Sequence, residues 1–141
     1  MIHRWFGLPK NNSHREKQAY FITGTDTGVG KTLVACALLQ AFVKQGNKAV
    51  GMKPVAAGCM ETPAGLFCED VENLLAAGNV VATQEWVNPY ALVSPVAPHV
   101  AAEQAGVEIN LERIDRSFRQ LREMADVTVV EGVGGFVVPL N

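Results

Sequence analysis

The segment Gly24–Leu33, with the sequence GTDTGVGKTL, constrains this chain more than any other feature. It separates a short β-branched and aromatic run, Ala19–Thr23, from a long apolar segment that begins at Lys31 and stops at Gly46. The run predicts a buried strand, and the apolar segment predicts a helix that lies against a sheet. A glycine-rich turn that joins a strand to a helix in this order is the setting of a phosphate-binding loop.

The loop departs from the general phosphate-loop pattern in one place. In that pattern a glycine is followed by four residues and then by Gly-Lys-Ser/Thr. Thr25 stands where the first glycine belongs, and Gly24 lies one residue too early. The additional residue lengthens the loop but does not alter the Gly-Lys-Thr segment that would bind phosphate.

The second half of the loop carries the parts that phosphate binding requires. Gly28 and Gly30 allow the backbone to turn so that successive N–H groups point inward, beside the positive end of the helix dipole. Lys31 supplies a positive charge for terminal phosphates, and the Thr32 hydroxyl can bind Mg²⁺. We therefore predict phosphate binding rather than a turn that only caps a helix.

The rest of the chain continues an α/β pattern. Lys48–Met52 predicts a second strand, and strand, helix and strand in this order form a βαβ unit with a parallel sheet. The remaining predictions are a loop over 55–69, a helix over 70–78, an irregular segment over 88–99, a short helix over 100–106, an amphipathic helix over 110–126 with Asn110 as N-cap, a buried strand over 127–130 and the start of another strand in 136–140.

The strand count bears on the fold class. Three strands and a fourth that begins near the end are fewer than the roughly five or six of an average sheet. We predict an α/β fold of the P-loop NTPase type, with a doubly wound, mainly parallel sheet that is incomplete at the C-terminus. Residues 1–18 are interpreted as a flexible leader, and residues 19–141 as the N-terminal part of a single domain.

Composition narrows the classes of function. Apolar residues make up 48% and charged residues 18%, which is typical of a soluble globular protein. The net charge of −2 gives no global attraction to nucleic acid, and the arginines of 110–126 alternate with acidic residues, as on a solvated helix face. No apolar run approaches the roughly 20 residues of a membrane span. Cys36, Cys59 and Cys68 form no close pair and follow no secretory signal, so we expect reduced thiols in the cytoplasm.

Three charged side chains are further candidates for the site. Glu131 ends an apolar strand, and in α/β sheets ligands bind at that edge, so a Mg²⁺-binding role is favoured over a simple strand-end acid. Lys53 also ends a strand, but an isolated lysine there is usually only exposed. Asp70 fits a helix N-cap as well as a metal ligand. The residues alone leave the roles of Lys53 and Asp70 open.

Taken together, these motifs resemble those of one family. The segments YFITGTDTGVGKT, GMKPVAAG, ETPAGL followed by ED, VNPY followed by SP and PH, and VVEGVGGFVVPL occur in this order in dethiobiotin synthetases, which the chain resembles from about Tyr20 to Asn141. The long loop and the downstream Lys-Pro-Val are quite specific to that family. The early glycine at Gly24 is the family's own version of the phosphate loop.

The resemblance implies an ATP- and Mg²⁺-dependent cyclo-ligase of biotin biosynthesis. In that family 7,8-diaminononanoate takes up CO₂ as a carbamate on one amine, and ATP phosphorylates the carbamate. The second amine then closes the ureido ring of dethiobiotin and releases phosphate. The full-length family is expected to be homodimeric and cytoplasmic.

The resemblance also implies roles for particular residues of this chain. Lys31 and Lys53 would be catalytic, Lys31 at the phosphates and Lys53 at the carbamate and the γ-phosphate. Thr27 and Lys53 would lie at the substrate. The implied Mg²⁺ ligands are Thr32, Asp70 and Glu131. The implied ATP-binding residues are Gly28, Val29, Gly30, Lys31, Thr32, Leu33, Asp70, Glu131, Gly132, Val133 and Gly134.

The chain also departs from the family. Relatives can carry an acid at Gly28 and serines at Ala57 and Ala97, so we expect softer substrate contacts with phosphate binding retained. Family members continue beyond Asn141 with adenine-reading residues, further strands and a partner-subunit surface. Two alternatives therefore stay open. One is a non-catalytic nucleotide-binding module; the other is a related cobyrinate amidase or partition-type ATPase, although Asp26 stands where the partition-type enzymes have a second lysine.

Overall fold

A computed structural model describes residues 2–4 and 16–140. In chain order, its strands are β1 Ile2–Arg4, β2 Gln18–Ile22, β3 Ala49–Met52, β4 Val55–Ala57, β5 Met60–Thr62, β6 Gly65–Phe67, β7 Tyr90–Leu92 and β8 Val127–Glu131. Its helices are α1 Lys31–Lys44, α2 Glu69–Ala77, α3 Gln84–Val87, α4 Pro98–Gln104 and α5 Leu111–Met124. No helix within these described ranges is long and apolar enough to cross a membrane.

The main sheet has the strand order β1-β2-β8-β3. β8 lies between β2 and β3 and is parallel to both, so that Val129 is the register partner of Tyr20 on one side and of Gly51 on the other. This confirms the predicted α/β class with a mainly parallel sheet. β1 runs antiparallel to β2, with Ile2 opposite Ile22. Residue 1 and residues 5–15 of the predicted leader lie outside the described residues, and the leader's flexibility stays a prediction.

Helices cover both faces of this sheet, as a doubly wound fold requires. Alternate residues of β3 and β8 point to opposite faces because the side-chain period of a strand is two. On one face, Leu39 of α1 and Leu74 of α2 pack with Val129, and all three are fully buried. On the other face, Met52 packs in the same cluster as Leu121 of α5.

Gly51 allows the first of these layers to pack closely. A Cβ at this position would lie 2.8 Å from Cβ of Leu74 and 3.1 Å from Cδ1 of Leu39. Any larger side chain would therefore push α1 or α2 away from β3. The close fit holds α2 against β3, and Asp70 lies in the first turn of this helix.

The predicted helices and buried strands are present with small shifts at their ends. Asn110 caps α5 as predicted, because its side chain accepts hydrogen bonds from the backbone N–H groups of Glu112 and Arg113. α1 ends at Lys44, and Gly46 follows with a φ of 80°. That left-handed conformation is the reason a glycine stops the helix here.

Three local predictions were wrong. The segment 55–69 is no plain loop, because it contains β4 and the β5–β6 hairpin. The segment 88–99 is not wholly irregular, because β7 pairs in parallel with β4, with Val55 opposite Tyr90. Residues 136–140 form no strand among the described residues. Strands of three residues are too short to show alternation in the sequence, and the β4–β7 pairing joins segments far apart in the chain.

The expectation of three reduced thiols was also wrong. Cys59 and Cys68 form a disulfide, with 4.6 Å between their Cα atoms, and both are buried. The β5–β6 hairpin doubles the chain back and brings together two cysteines that are nine positions apart. Cys36 is free, and burial, followed by the negative charges of Glu131 and Asp70, raises the pKa of its thiol.

Candidate active site

The phosphate loop, residues 24–32, joins the end of β2 to the start of α1. Gly28 and Gly30 have φ values of 75° and 94°, in the left-handed region that glycine enters without strain. The N-cap of α1 is Gly30, which has no side chain to accept from the first N–H groups, and the first turn carries no acidic residue. These N–H groups and the positive end of the helix dipole are therefore available to an anion.

Gly24 is required by the shape of this loop. A Cβ on Gly24 would lie 2.6 Å from Cγ2 of Val29 and 3.2 Å from Cγ of Lys31. The loop therefore folds back over Gly24, and the Lys31 ammonium donates a hydrogen bond to the backbone carbonyl of Asp26 at 2.5 Å. The general pattern places its first glycine one residue later, but in this loop position 24 must be glycine because Val29 and Lys31 leave no room for a Cβ.

Four side chains from distant parts of the chain meet beside the loop, and we call them the Lys53 cluster: Thr32, Lys53, Asp70 and Glu131. The Lys53 ammonium donates to Oδ2 of Asp70 at 2.8 Å and to Oε1 of Glu131 at 2.5 Å. The Thr32 hydroxyl lies 2.9 Å from Oδ1 of Asp70 and 2.8 Å from Oε1 of Glu131. The structure thus brings together the three predicted Mg²⁺ ligands and Lys53, one of the two lysines predicted to be catalytic.

Parallel strands explain why the cluster forms at this place. Glu131 ends β8, and Lys53 directly follows the neighbouring β3, so both lie at the carboxyl edge of the sheet. Thr32 lies in the first turn of α1 and Asp70 in the first turn of α2. These two helices pack on the same face of the sheet, and their N-termini meet at this edge.

The cluster is buried on one side and open on the other. Glu131 is 1% exposed and Lys53 is 3% exposed, whereas the side chain of Asp70 is 46% exposed. Partial burial by itself raises the pKa of Asp70, but hydrogen bonds from Lys53 and Thr32 and the positive charges of Lys53 and Lys31 outweigh it. The pKa of Asp70 therefore lies below its ordinary value.

Asn88 holds the backbone of Lys53, a role that the sequence did not indicate. Its buried side-chain amide donates to the carbonyl of Lys53 at 2.6 Å and to that of Tyr90 at 3.1 Å. The N–H of Lys53 in turn donates to the carbonyl of Val87 at 2.8 Å. In the sequence Asn88 appeared only within a proline-containing segment and the VNPY motif, and its role was not visible because Lys53 lies 35 positions away.

A cavity of about 740 Å³ opens over the loop and the cluster. Of the predicted site residues, its walls include Thr27, Gly28, Gly30, Lys31, Thr32, Lys53, Asp70, Glu131, Val133 and Gly134. Val29 and Leu33 are not among the lining residues, and their side chains are 52% and 74% exposed. Gly132 is not among them either. The roles of all these residues in binding or catalysis stay predictions.

Apart from Ala57 and Ala97, where relatives can carry serines, the following part of the cavity wall was not foreseen. Pro95–Pro98 form one side, together with Ala57, and Val137–Pro139 form another. Only the first segment carried a signal, with two prolines in four residues. Proline has no backbone N–H to donate to a sheet; residues 95–97 and 137–139 are loops that border the opening, and Pro98 begins α4.

The Lys53 cluster fits a Mg²⁺ ion by the chemistry of its donors. Within the described residues, no group of three or more His, Cys, Asp or Glu side chains converges on a metal-sized site. Mg²⁺ in nucleotide enzymes uses one or two carboxylates and completes its shell with water and phosphate oxygens. Asp70, Glu131 and the Thr32 hydroxyl match that set, and the buried Oε2 of Glu131 has no hydrogen-bond partner among the described residues.

Comparison with known proteins gave two findings. Residues 18–141 match a family model described as an AAA domain. The chain is also 57% identical over 124 residues to the ATP-dependent dethiobiotin synthetase BioD of Nitrosospira multiformis. That alignment covers 88% of this chain and 53% of the relative.

Other relatives with the same name give similar values. Identity to the protein of Xylella fastidiosa strain 9a5c is 51% over 123 residues, which are 87% of this chain and 54% of the relative. Identity to the protein of Aromatoleum aromaticum is 52% over 126 residues, which are 89% of this chain and 56% of the relative. The chain thus spans about half the length of the curated relatives it matches.

Proposed function

This chain belongs to the AAA domain family, and from that premise we propose that it takes part in the ATP- and Mg²⁺-dependent closure of the ureido ring of dethiobiotin. The substrates would be 7,8-diaminononanoate, CO₂ and ATP. The observation that carries the proposal is the Lys53 cluster beside the phosphate loop, in a chain more than half identical to proteins named ATP-dependent dethiobiotin synthetase. The proposed ring closure is a cyclo-ligase reaction.

The reaction has three balanced steps. One amine of the diamine attacks CO₂ and loses a proton, which gives a carbamate. A carbamate oxygen attacks the γ-phosphorus of ATP, the bond to the β-phosphate oxygen breaks, and ADP leaves. The second amine then attacks the carbonyl carbon of the phosphorylated carbamate, and phosphate and a proton are released as the ring closes.

The residues of the phosphate loop fit the second step. Inward N–H groups at the start of α1 and the Lys31 ammonium would bind and neutralise the terminal phosphates. The Lys53 ammonium, at the wall of the same cavity, would attract the carbamate and hold it in line with the γ-phosphate. Phosphoryl transfer depends mainly on such positioning and charge neutralisation.

The proposed Mg²⁺ would neutralise charge that develops on the transferring phosphoryl group. Thr32, Asp70 and Glu131 would hold it. A cytoplasmic location and a homodimer follow from the family resemblance and belong to the same proposal. Because the chain spans about half the length of its relatives, phosphate and metal binding are the parts of the function that its own residues carry most directly.

Two measurements on the 141-residue chain test the proposal. Titration with a fluorescent ATP analogue and Mg²⁺ should show binding that Lys31→Met weakens. A second assay follows dethiobiotin by mass spectrometry and ADP by a coupled reaction, with and without the diamine. We expect this chain, which spans about half the length of its relatives, to turn over weakly at most. Any ADP release should depend on the diamine, and Lys53→Ala should abolish any dethiobiotin formation.

The outcomes separate the alternatives. ATP binding without dethiobiotin formation would make the chain a nucleotide-binding module. ADP release that is independent of the diamine would indicate a general ATPase. Dethiobiotin formation that is undiminished in Lys53→Ala would refute the role of Lys53.

A further inference from the structure

The Lys53 ammonium lies among the oxygens that would bind Mg²⁺. Its nitrogen is 2.8 Å from Oδ2 of Asp70 and 2.5 Å from Oε1 of Glu131. The Thr32 hydroxyl contacts that same Oε1 and the other oxygen of Asp70. We propose that Lys53 is the resident cation of this site and that a divalent ion must displace it, which turns the ammonium from the carboxylates into the cavity.

The charges of the cluster explain why a resident cation is needed. Asp70 and Glu131 together carry two negative charges, and Glu131 is almost fully buried. A buried carboxylate without a counter-charge is strongly unfavourable. Lys53 is the lysine that pairs with both carboxylates, whereas Lys31 contacts the carbonyl of Asp26 instead. Lys53 thus supplies the counter-charge for both carboxylates and holds them in place.

Lys53 and a divalent ion cannot share these oxygens. Mg²⁺ binds oxygen at about 2.1 Å, and the ammonium already takes up the space beside Oε1 of Glu131 and Oδ2 of Asp70. Two cations so close together also repel each other, most strongly beside the buried Glu131. An ion held by Oε1 of Glu131 and Oδ2 of Asp70 therefore requires the ammonium to leave, whereas an ion held only through the unpartnered Oε2 of Glu131 would leave it in place.

The structure gives the displaced side chain a direction. Two hydrogen bonds hold the backbone of Lys53: its N–H donates to the carbonyl of Val87, and its carbonyl accepts from the side chain of Asn88. Only the flexible four-carbon stem is then free to move. Because Lys53 lines the cavity together with the phosphate loop, the stem can swing into that cavity.

This displacement would couple metal loading to catalysis. On the proposed function, the released ammonium meets the carbamate and the γ-phosphate only after the divalent ion has entered. Metal binding, rather than the metal-free fold, would thus bring the Lys53 ammonium to its catalytic position. The displacement rests on the metal-binding part of the proposed function, and this last step rests on its ring-closing chemistry as well.

The first test measures binding of Mn²⁺ alone by electron paramagnetic resonance, without nucleotide. We compare the unmodified chain with Lys53→Met and with the control Lys31→Met. The control also removes one positive charge from the cavity wall, but Lys31 makes no hydrogen bond to the Lys53 cluster. Lys53→Met should bind Mn²⁺ about tenfold more tightly or better, equal to about 1.4 kcal/mol. Lys31→Met should gain much less. Equal gains in both variants, or none in Lys53→Met, would overturn the proposal.

The second test uses the unmodified chain and so does not depend on the folding of a variant. A water-soluble amine-reactive reagent labels lysines, and mass spectrometry gives the rate at each residue. The rate at Lys53, now 3% exposed, should rise severalfold when Mg²⁺ saturates the site, while that at exposed Lys48 stays constant. An unchanged rate at Lys53 would show that the ammonium stays in place. Neither test involves the diamine, so a failed dethiobiotin assay leaves both results interpretable.

Discussion

Replacing Lys53 by methionine should destabilise the fold much more than replacing its partner Glu131 by glutamine. The two substitutions break the same contact of 2.5 Å, but they leave different groups behind. Lys53→Met leaves a carboxylate that is 1% exposed without a counter-charge. Glu131→Gln leaves Lys53 paired with Asp70 at 2.8 Å and still offers it an amide oxygen.

The magnitudes follow from burial. Removing one partner of a buried ion pair costs roughly 3–5 kcal/mol, because the other charge stays buried. The contact with Asp70 adds at most about 1 kcal/mol, since that side chain is 46% exposed. Glu131→Gln should cost only about 1–2 kcal/mol, as the ion pair becomes a hydrogen bond from the ammonium to a neutral amide oxygen. The double variant carries no uncompensated carboxylate at residue 131 and should be about 2 kcal/mol more stable than Lys53→Met alone.

Urea unfolding at pH 7, followed by far-UV circular dichroism with a chelator present, measures all three variants. Saturating Mg²⁺ should restore a large part of the stability of Lys53→Met, because the ion supplies the missing positive charge. Lys17→Met is the control. It removes an exposed ion pair of 3.6 Å with Glu123, and its effect should stay within about 1 kcal/mol.

Equal losses in Lys53→Met and Glu131→Gln would contradict this account. So would a double variant whose loss equals the sum of the two single losses. Either result would mean that Glu131 is not held as a buried anion by Lys53.

Three further predictions concern other parts of the fold. Gly51→Ala should cost about 1–3 kcal/mol in urea unfolding, because its Cβ would meet Leu74 at 2.8 Å. Replacing Cys59 and Cys68 by alanine should lower the free energy of unfolding by roughly 2.5 kcal/mol, since the disulfide closes a short loop between positions nine apart. Asp70→Asn should make the free energy of unfolding fall less steeply as the pH is lowered into the acid range. The Asp70 carboxyl has a depressed pKa in the fold, so its contribution is present above its ordinary value of 3.8 and is lost as pH falls through the folded value.

Each of these predictions has a control or a contrary outcome. Gly106→Ala, where a Cβ would meet nothing within 4 Å but φ is 64°, tests strain without crowding. Unchanged stability on addition of a thiol reductant to the unmodified chain would argue against the disulfide. Acid curves that coincide for Asp70→Asn and the unmodified chain would show that Asp70 gains no net stabilisation from Lys53.

The longer elements of the fold were predictable because their signals are local. The βαβ unit, the buried strand 127–130 and the amphipathic helix with its Asn110 cap each follow from periodicity and from residues at the element's own ends. The phosphate loop was predictable for the same reason. Its glycines, Lys31 and Thr32 all lie within residues 24–32, so this short stretch of sequence contains every part of the loop.

The short strands and the disulfide were not predictable because their partners are distant. β4 and β7 pair across more than 30 positions, and three residues give no usable alternation. Cys59 and Cys68 showed no motif spacing, and only the β5–β6 hairpin brings them together. Asn88 likewise acquires its role from the carbonyl of Lys53.

By itself, then, the sequence determined the fold class, the phosphate loop and the candidates Lys53, Asp70 and Glu131. Only the tertiary structure decided that these three form one cluster with Thr32. The reason is geometric: parallel β3 and β8 end at the same edge, and the close approach that Gly51 permits sets α1 and α2 side by side above it. That packing, rather than any local motif, places an ammonium between the two carboxylates that would bind a metal ion.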